Sequence, residues 1–102
     1  MLSLRPRLER GCYIGFQRYF LTFCTHQRSP WFTARDVVEI VRCEIFRDLA
    51  AFDMAEIVHC FMPDHFHILV EGVSESADCS AYVHRAKQRS GFAFSARCRG
   101  QA

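Results

Sequence analysis

The sequence lacks the features that mark membrane proteins, secreted proteins and multi-domain chains. Its 102 residues contain no apolar run long enough to cross a bilayer, and the opening MLSLRPRLERG lacks the apolar core of a secretory signal. Only five glycines and three prolines are present, so no stretch has the composition of a linker. We therefore predict one soluble, cytoplasmic domain, spanning residues 1–102, with a modest hydrophobic core.

Closely spaced cysteine pairs are also missing. The six cysteines are scattered and form no Cys-x-x-Cys pair: Cys12, Cys24, Cys43, Cys60, Cys79 and Cys98. This spacing favours free thiols that fill small apolar positions over the alternatives, a disulfide framework or a zinc site. We assign these thiols no chemistry.

Acidic residues are scarce at both ends of the chain. Residues 1–28 carry five arginines and one glutamate, a net charge of +4, whereas residues 29–78 carry three arginines and ten acids, a net charge of −7. Residues 79–102 carry five basic side chains and no acid, a net charge of +5. Basic ends can bind a polyanion such as nucleic acid, and ordinary solubilising charge is the alternative.

The residues that are present predict three strands and two helices after a basic N-terminal arm over residues 1–16. The run RYFLTFCT, Arg18 to Thr25, is rich in aromatic and β-branched residues and predicts a strand. Thr33 and Asp36 have the spacing of a helix N-cap and an acidic third residue, before apolar residues that recur every three or four positions to about Phe52.

Two further strands follow, Ala55–Met62 and His65–Gly72, and only Pro63 and Asp64 separate them. Such a short connection predicts an antiparallel hairpin. A second helix is predicted from Ser76 or Asp78, with Cys79, Tyr82, Val83 and Ala86 on one face and a weakening at Gly91.

The order of these elements is β-α-β-β-α, which predicts an α+β fold. It corresponds to a ferredoxin-like split βαβ sandwich, with an antiparallel sheet and helices on one face. The last elements of that fold are missing, so we expect the chain to be truncated and the domain to be incomplete at its C-terminus. Loss of an edge strand is expected to leave backbone groups unpaired.

The motif MPDHFHILVE, Met62 to Glu71, puts two histidines one residue apart inside an apolar strand. Side chains alternate along a strand, so His65 and His67 are predicted to stand side by side on one face. A two-residue turn places Met62 opposite His65 and Cys60 opposite His67. His59 then falls on the other face, where we predict a structural role.

Two neutral imidazoles at this spacing can bind one divalent cation and leave positions open for substrate oxygens. A surface pair that binds nothing is the alternative.

The segment CFMPDHFHILVEG resembles the signature of the HUH single-strand DNA transposases, and specifically of the REP-associated tyrosine transposases. The resemblance covers most of the chain. The segment RPRLERGCYIGFQRYFLTFCTHQRSPWF is similar to that family's basic arm and first strand, and YVHRAKQRSGFAFSAR is similar to its second helix.

The resemblance implies a transposase that nicks and rejoins hairpin-forming single-stranded DNA during DNA recombination. In such enzymes a tyrosine hydroxyl attacks a phosphodiester and forms a 5′-phosphotyrosine. It also implies that His65 and His67 are metal ligands for Mg²⁺ or Mn²⁺. Single-stranded or hairpin DNA is the implied partner, and a homodimer is a further expectation.

The family's tyrosine lies on a later helix, so we expect this chain to lack it. Of Tyr13, Tyr19 and Tyr82, only Tyr82 remains a catalytic candidate, and its place on an apolar helix stripe favours packing instead.

Basic residues from the arm, first strand and second helix are candidate DNA contacts, with simple solvation as the alternative. They are Arg5, Arg7, Arg10, Arg18, Arg28, Arg85, Lys87 and Arg89. Two other functions stay open: a non-catalytic protein that binds single-stranded nucleic acid, and a small metal-binding module.

Overall fold

A computed structural model describes residues 2–3 and 10–100, and within them the side chains of residues 12–91 and 93–95. Residues 4–9 of the predicted arm lie outside this range. The strands and helices are β1 (Leu2–Ser3), β2 (Arg18–Thr25), α1 (Arg35–Arg47), β3 (Met54–Met62), β4 (His65–Gly72) and α2 (Cys79–Gly100). The predicted α+β fold is confirmed.

The strands form one antiparallel sheet in the order β1-β2-β4-β3. The two residues of β1 come from the predicted arm and pair with the end of β2, with Leu2 opposite Thr25. The three long strands are those predicted from the sequence, with β3 one residue longer at its start. A register shift between Glu56 and Val58 turns two consecutive side chains, Ile57 and Val58, outwards.

Both long helices pack on one face of the sheet. Phe23 of β2 and Phe66 of β4 stack there with their ring centroids 4.8 Å apart, and both are buried. The helices cover this layer with apolar side chains at three- and four-residue steps, among them Val41 of α1 and Tyr82 of α2. The other face of the long strands carries no described helix.

The predicted cap of α1 is wrong. The Thr33 hydroxyl donates to the Pro30 carbonyl at 2.8 Å, so it is not available to the helix, and Ala34 occupies the N-cap position without a side-chain bond. The helix ends at Arg47, earlier than predicted, and a separate 3₁₀ turn covers Ala50–Phe52. The Thr33 hydroxyl therefore closes a local turn instead of capping the helix.

Helix α2 begins where the capping signal predicts, because the Asp78 carboxylate accepts a hydrogen bond from the Ala81 amide at 2.9 Å. The helix continues through Gly91 rather than weakening there. One glycine lowers the stability of a helix by only about 1 kcal/mol relative to alanine, and packing of the buried neighbours Ala86 and Ser90 can offset that loss. No helix among the described residues is long and apolar enough to span a membrane.

The thiols follow the predicted burial only in part. Cys79 is buried, as expected for a small apolar position, and Cys24 is half-buried. Cys12, Cys43 and Cys60 are exposed, so the predicted apolar placement is wrong for these three. The side chain of Cys98 lies outside the described residues.

Candidate functional site

The two histidines of β4 stand side by side on the face that the helices leave uncovered. Their ring centroids are 4.9 Å apart, at an interplanar angle of 77°. The hairpin has the predicted register, with Met62 opposite His65 and Cys60 opposite His67. Because both rings are only half-buried, this face can admit a ligand.

His59 lies on the opposite face, as the register predicts. Its ring packs against Phe46 of α1 with centroids 4.9 Å apart, and its Nδ1 lies 3.1 Å from Glu56 Oε1. These contacts join the sheet to a helix and keep His59 away from the histidine pair.

A carboxylate orients the first ring. His65 Nδ1 lies 2.7 Å from Asp64 Oδ1, and the other oxygen, Oδ2, accepts a hydrogen bond from Arg28 Nε at 2.9 Å. The bond from Arg28, followed by that from His65, lowers the pKa of Asp64 to about 2. A carboxylate only accepts hydrogen bonds, so the neutral His65 ring carries its proton on Nδ1 and exposes the Nε2 lone pair.

A hydroxyl and an aromatic ring hold the second imidazole. His67 Nδ1 lies 3.0 Å from Thr22 Oγ1, and the ring stacks on Phe20 with centroids 5.3 Å apart. No described residue supplies a hydrogen bond to Nε2 of either His65 or His67. Each ring is therefore held through Nδ1, with Nε2 making no hydrogen bond to a described residue.

The loop after β2 fixes the turn that carries Asp64. The Thr25 amide donates to the Asp64 carbonyl at 2.9 Å, and the Phe32 amide donates to the Pro63 carbonyl at 2.9 Å. The Thr25 hydroxyl donates to the Ser29 carbonyl at 2.6 Å and lies 3.0 Å from the Asp64 carbonyl oxygen. Gln27 and Arg28 adopt left-handed backbone conformations, with φ of 55° and 57°. Such conformations are sparsely populated by residues other than glycine, and they are common at functional sites.

The donor set fits part of a divalent-metal site. Two oriented imidazoles can supply two ligands, and outer-shell partners such as Asp64 are typical of metal-binding histidines. Among the described residues, no group of three or more His, Cys, Asp or Glu side chains comes together to hold a metal. Any further ligands must come from other groups, such as water or substrate oxygens.

The tyrosines do not join this site. The Tyr82 ring is fully buried among the helices, and its hydroxyl donates to the Ile45 carbonyl at 2.6 Å. Burial raises the pKa of Tyr82 above its usual value, and Tyr19 is shifted in the same direction for the same reason. Tyr13 stacks on Tyr19 with centroids 5.9 Å apart.

Two predicted DNA contacts lie on or beside the histidine face. Arg18 is 73% exposed in its side chain and lies 3.3 Å from Glu71, which follows the histidines along β4. Arg28 borders the site through Asp64.

The three predicted contacts on α2 are separated from the histidine pair by the sheet. Arg85 is exposed and Lys87 is half-buried. Arg89 Nε lies 2.7 Å from Asp48 Oδ2, with both atoms buried, so this ion pair joins α2 to the end of α1. Arg5 and Arg7 lie outside the described residues, as does the side chain of Arg10.

Sequence reasoning missed Asp64, Thr22 and Phe20 as members of the site. Asp64 lies within the quoted motif, directly before the first histidine, and that proximity is a signal that was available. Thr22 and Phe20 reach His67 only because β2 pairs with β4, and a contact across 45 residues has no local signature.

A family model described as "Transposase IS200 like" matches residues 16–101, a range that includes both histidines and both long helices. The chain belongs to the IS200-like transposase family. This confirms the family predicted from the histidine motif. A search of curated proteins finds no match to this IS200-like chain.

A solved structure shares the fold of this IS200-like transposase chain. It is described as "Structure of the REP associates tyrosine transposase bound to a REP hairpin" and has a TM-score of 0.70 and 19% identity to this chain. The similarity covers 91% of this chain and 53% of that chain. At this identity the similarity establishes the fold, and this chain spans about half the length of its neighbour.

Proposed function

We propose that this chain forms the metal-binding and DNA-binding part of a transposase that nicks and rejoins hairpin-forming single-stranded DNA. The observation that carries the proposal is the pair of half-buried imidazoles, with ring centroids 4.9 Å apart, on the sheet face opposite α1 and α2. Membership of the IS200-like family supports it. The REP hairpin bound by the structural neighbour is consistent with a hairpin substrate.

His65 and His67 are the ligands we assign to Mg²⁺ or Mn²⁺. When bound, the ion would polarise a phosphate and offset the charge that develops during phosphoryl transfer. The chain's own contribution is orientation, because Asp64 and Thr22 engage the two Nδ1 atoms and leave the Nε2 atoms available. Arg28 keeps Asp64 ionised and in place.

Arg18 and Arg28 are the DNA contacts that the geometry favours, since they lie on or beside the same face as the histidines. Arg85 and Lys87 would meet only DNA that extends around to α2. We assign Arg89 to helix packing because of its buried pair with Asp48. Contacts from Arg5, Arg7 and Arg10, and formation of a homodimer, stay predictions.

None of Tyr13, Tyr19 and Tyr82 is placed to attack a phosphate held at the histidine pair, so we propose that strand cleavage needs a nucleophile other than these three. A non-catalytic protein that binds single-stranded nucleic acid is the second candidate. The burial of Tyr82, whose hydroxyl already bonds to Ile45, favours it.

Calorimetric titration with Mn²⁺ tests the metal site. The wild-type chain should bind Mn²⁺, and the double variant His65→Ala/His67→Ala should not. His59→Ala is the matched control, because it removes an imidazole from the other face of the same sheet. Equal Mn²⁺ binding by the double variant and the wild type would overturn the assignment.

A hairpin-bearing single-stranded oligonucleotide tests the DNA function in the presence of Mn²⁺. We expect retention that weakens as salt is added, since phosphate contacts release counterions. A covalent adduct, sought by denaturing gel and mapped by mass spectrometry, tests whether any of the three tyrosines acts as a nucleophile. An adduct on one of the three tyrosines would overturn our exclusion of them. Retention of the oligonucleotide without an adduct would support that exclusion.

A further inference from the structure

We propose that Asp64, braced by Arg28, is a positioning residue that fixes His65 in the tautomer able to bind metal. The inference deepens the proposed metal site and rests on it. Both carboxylate oxygens are in use: Oδ1 lies 2.7 Å from His65 Nδ1, and Oδ2 lies 2.9 Å from Arg28 Nε. The carboxylate therefore links a basic side chain of one loop to the first histidine of the motif.

The chemistry of the two histidine partners differs in a useful way. A carboxylate can only accept, so Asp64 requires the His65 proton on Nδ1 and leaves the Nε2 lone pair outwards. The Thr22 hydroxyl beside His67 can donate or accept, so it orients the ring without selecting one tautomer. Asp64 is thus the group that decides which nitrogen of its histidine is available.

The backbone around Asp64 is arranged to hold this geometry. Its carbonyl accepts a hydrogen bond from the Thr25 amide at 2.9 Å, which ties the turn to the end of β2. Two consecutive left-handed residues, Gln27 and Arg28, bring the guanidinium to the carboxylate.

The chain contains its own control for this inference. His59 also has a carboxylate partner, with Nδ1 3.1 Å from Glu56 Oε1, but this pair lies on the helix face. Glu56→Ala removes a histidine-carboxylate contact of the same kind without touching the site. It should alter His59 and leave both His65 and Mn²⁺ binding unchanged.

The first test measures tautomers by nitrogen-15 NMR in the metal-free chain, at a pH where the histidines are neutral. In the wild type, His65 should carry its proton on Nδ1. In Asp64→Ala it should lose that preference, whereas Glu56→Ala should leave it intact. If His65 shows the same tautomer in Asp64→Ala as in the wild type, the inference is wrong.

The second test measures Mn²⁺ affinity by calorimetry. Loss of an outer-shell partner typically weakens metal binding by about 10–100-fold, so we expect that loss in Asp64→Ala and a smaller one in Arg28→Ala. Unchanged affinity in both variants would overturn the inference. If Asp64→Ala fails to fold, Arg28→Ala still tests the brace, because it changes no residue of the hairpin.

The two tests separate this inference from the metal site on which it rests. A wild-type chain that binds no Mn²⁺ would remove the proposed metal site, and the NMR result would still decide whether Asp64 sets the His65 tautomer. A wild-type chain that binds Mn²⁺ as tightly as Asp64→Ala, with the tautomer unchanged, would keep the metal site and remove only the positioning role.

Discussion

The two faces of the same strands have different tasks. On the helix face, Phe23 and Phe66 are stacked and fully covered, as expected for a core that stabilises the fold. On the histidine face, Phe20, Val58 and Met62 keep large exposed areas around the imidazole pair. The alternation of a strand therefore divides neighbouring residues between stability and binding, so substitutions one or three positions apart should differ in kind.

The largest contrast in stability is expected between two phenylalanines of β2. Phe23 is 0% exposed and Phe20 is 67% exposed. Phe23→Ala should lower the free energy of unfolding by about 3–5 kcal/mol through the cavity it leaves. Phe20→Ala should change it by only about 0.5 kcal/mol, as for most surface substitutions. Urea unfolding measures both, and equal losses would contradict the division between faces.

The histidines sharpen the same comparison for binding. His67→Ala should weaken Mn²⁺ binding at least about tenfold, because it removes a proposed ligand. His59→Ala should leave Mn²⁺ affinity unchanged and cost about 1 kcal/mol of stability, since it loses packing against Phe46. Calorimetry and urea unfolding provide the two readouts. A His59→Ala chain with impaired Mn²⁺ binding would break the comparison.

The tyrosines test whether the buried hydroxyls serve packing. Tyr82→Phe leaves the Ile45 carbonyl without its donor, so the free energy of unfolding should fall by about 1–3 kcal/mol. Tyr19→Phe is the matched control. Its buried hydroxyl has no hydrogen-bond partner among the described residues, so its removal should be neutral or stabilising. Thermal unfolding compares the two variants, and a stabilised Tyr82→Phe chain would contradict the role given to that hydroxyl.

The smallest effect is expected from a comparison that changes no residue: the alkylation rates of two thiols in the wild-type chain. Burial raises the pKa of Cys79 to about 12, so at mildly alkaline pH its thiolate is scarce as well as covered. Cys43 is exposed on α1. Alkylation followed by mass spectrometry should label Cys43 readily and Cys79 only after denaturation. Similar labelling rates in the native chain would show that the helix face opens easily.

Much of the fold could be predicted because its signals are local. Aromatic and β-branched residues marked β2, and a two-residue turn left one register for the β3–β4 hairpin, which the structure has. The start of α1 could not be predicted in the same way. Thr33 had two acceptable uses for its hydroxyl, and only the folded loop shows that it bonds to Pro30.

The candidate site, like the fold, could be predicted only where its signals are local. That His65 and His67 are neighbours follows from the two-residue period of a strand, and the family was recognisable from the motif around them. Which nitrogen of His65 carries the lone pair depends on Asp64, whose position depends in turn on Arg28, and the orientation of the His67 ring depends on Thr22. The basic residues likewise gave no sign in the sequence of which sheet face they would border.

By itself the sequence determined the strands, the hairpin register and the adjacency of the two imidazoles, because backbone geometry relates residues that are close in the chain. Only the tertiary structure decided that Thr22 and Phe20 reach His67 and that Arg28 reaches Asp64 across 36 residues. These outcomes depend on side chains that meet after β2 pairs with β4 and the helices pack. Contacts between residues that are far apart in sequence leave no periodic pattern along the chain from which they could be predicted.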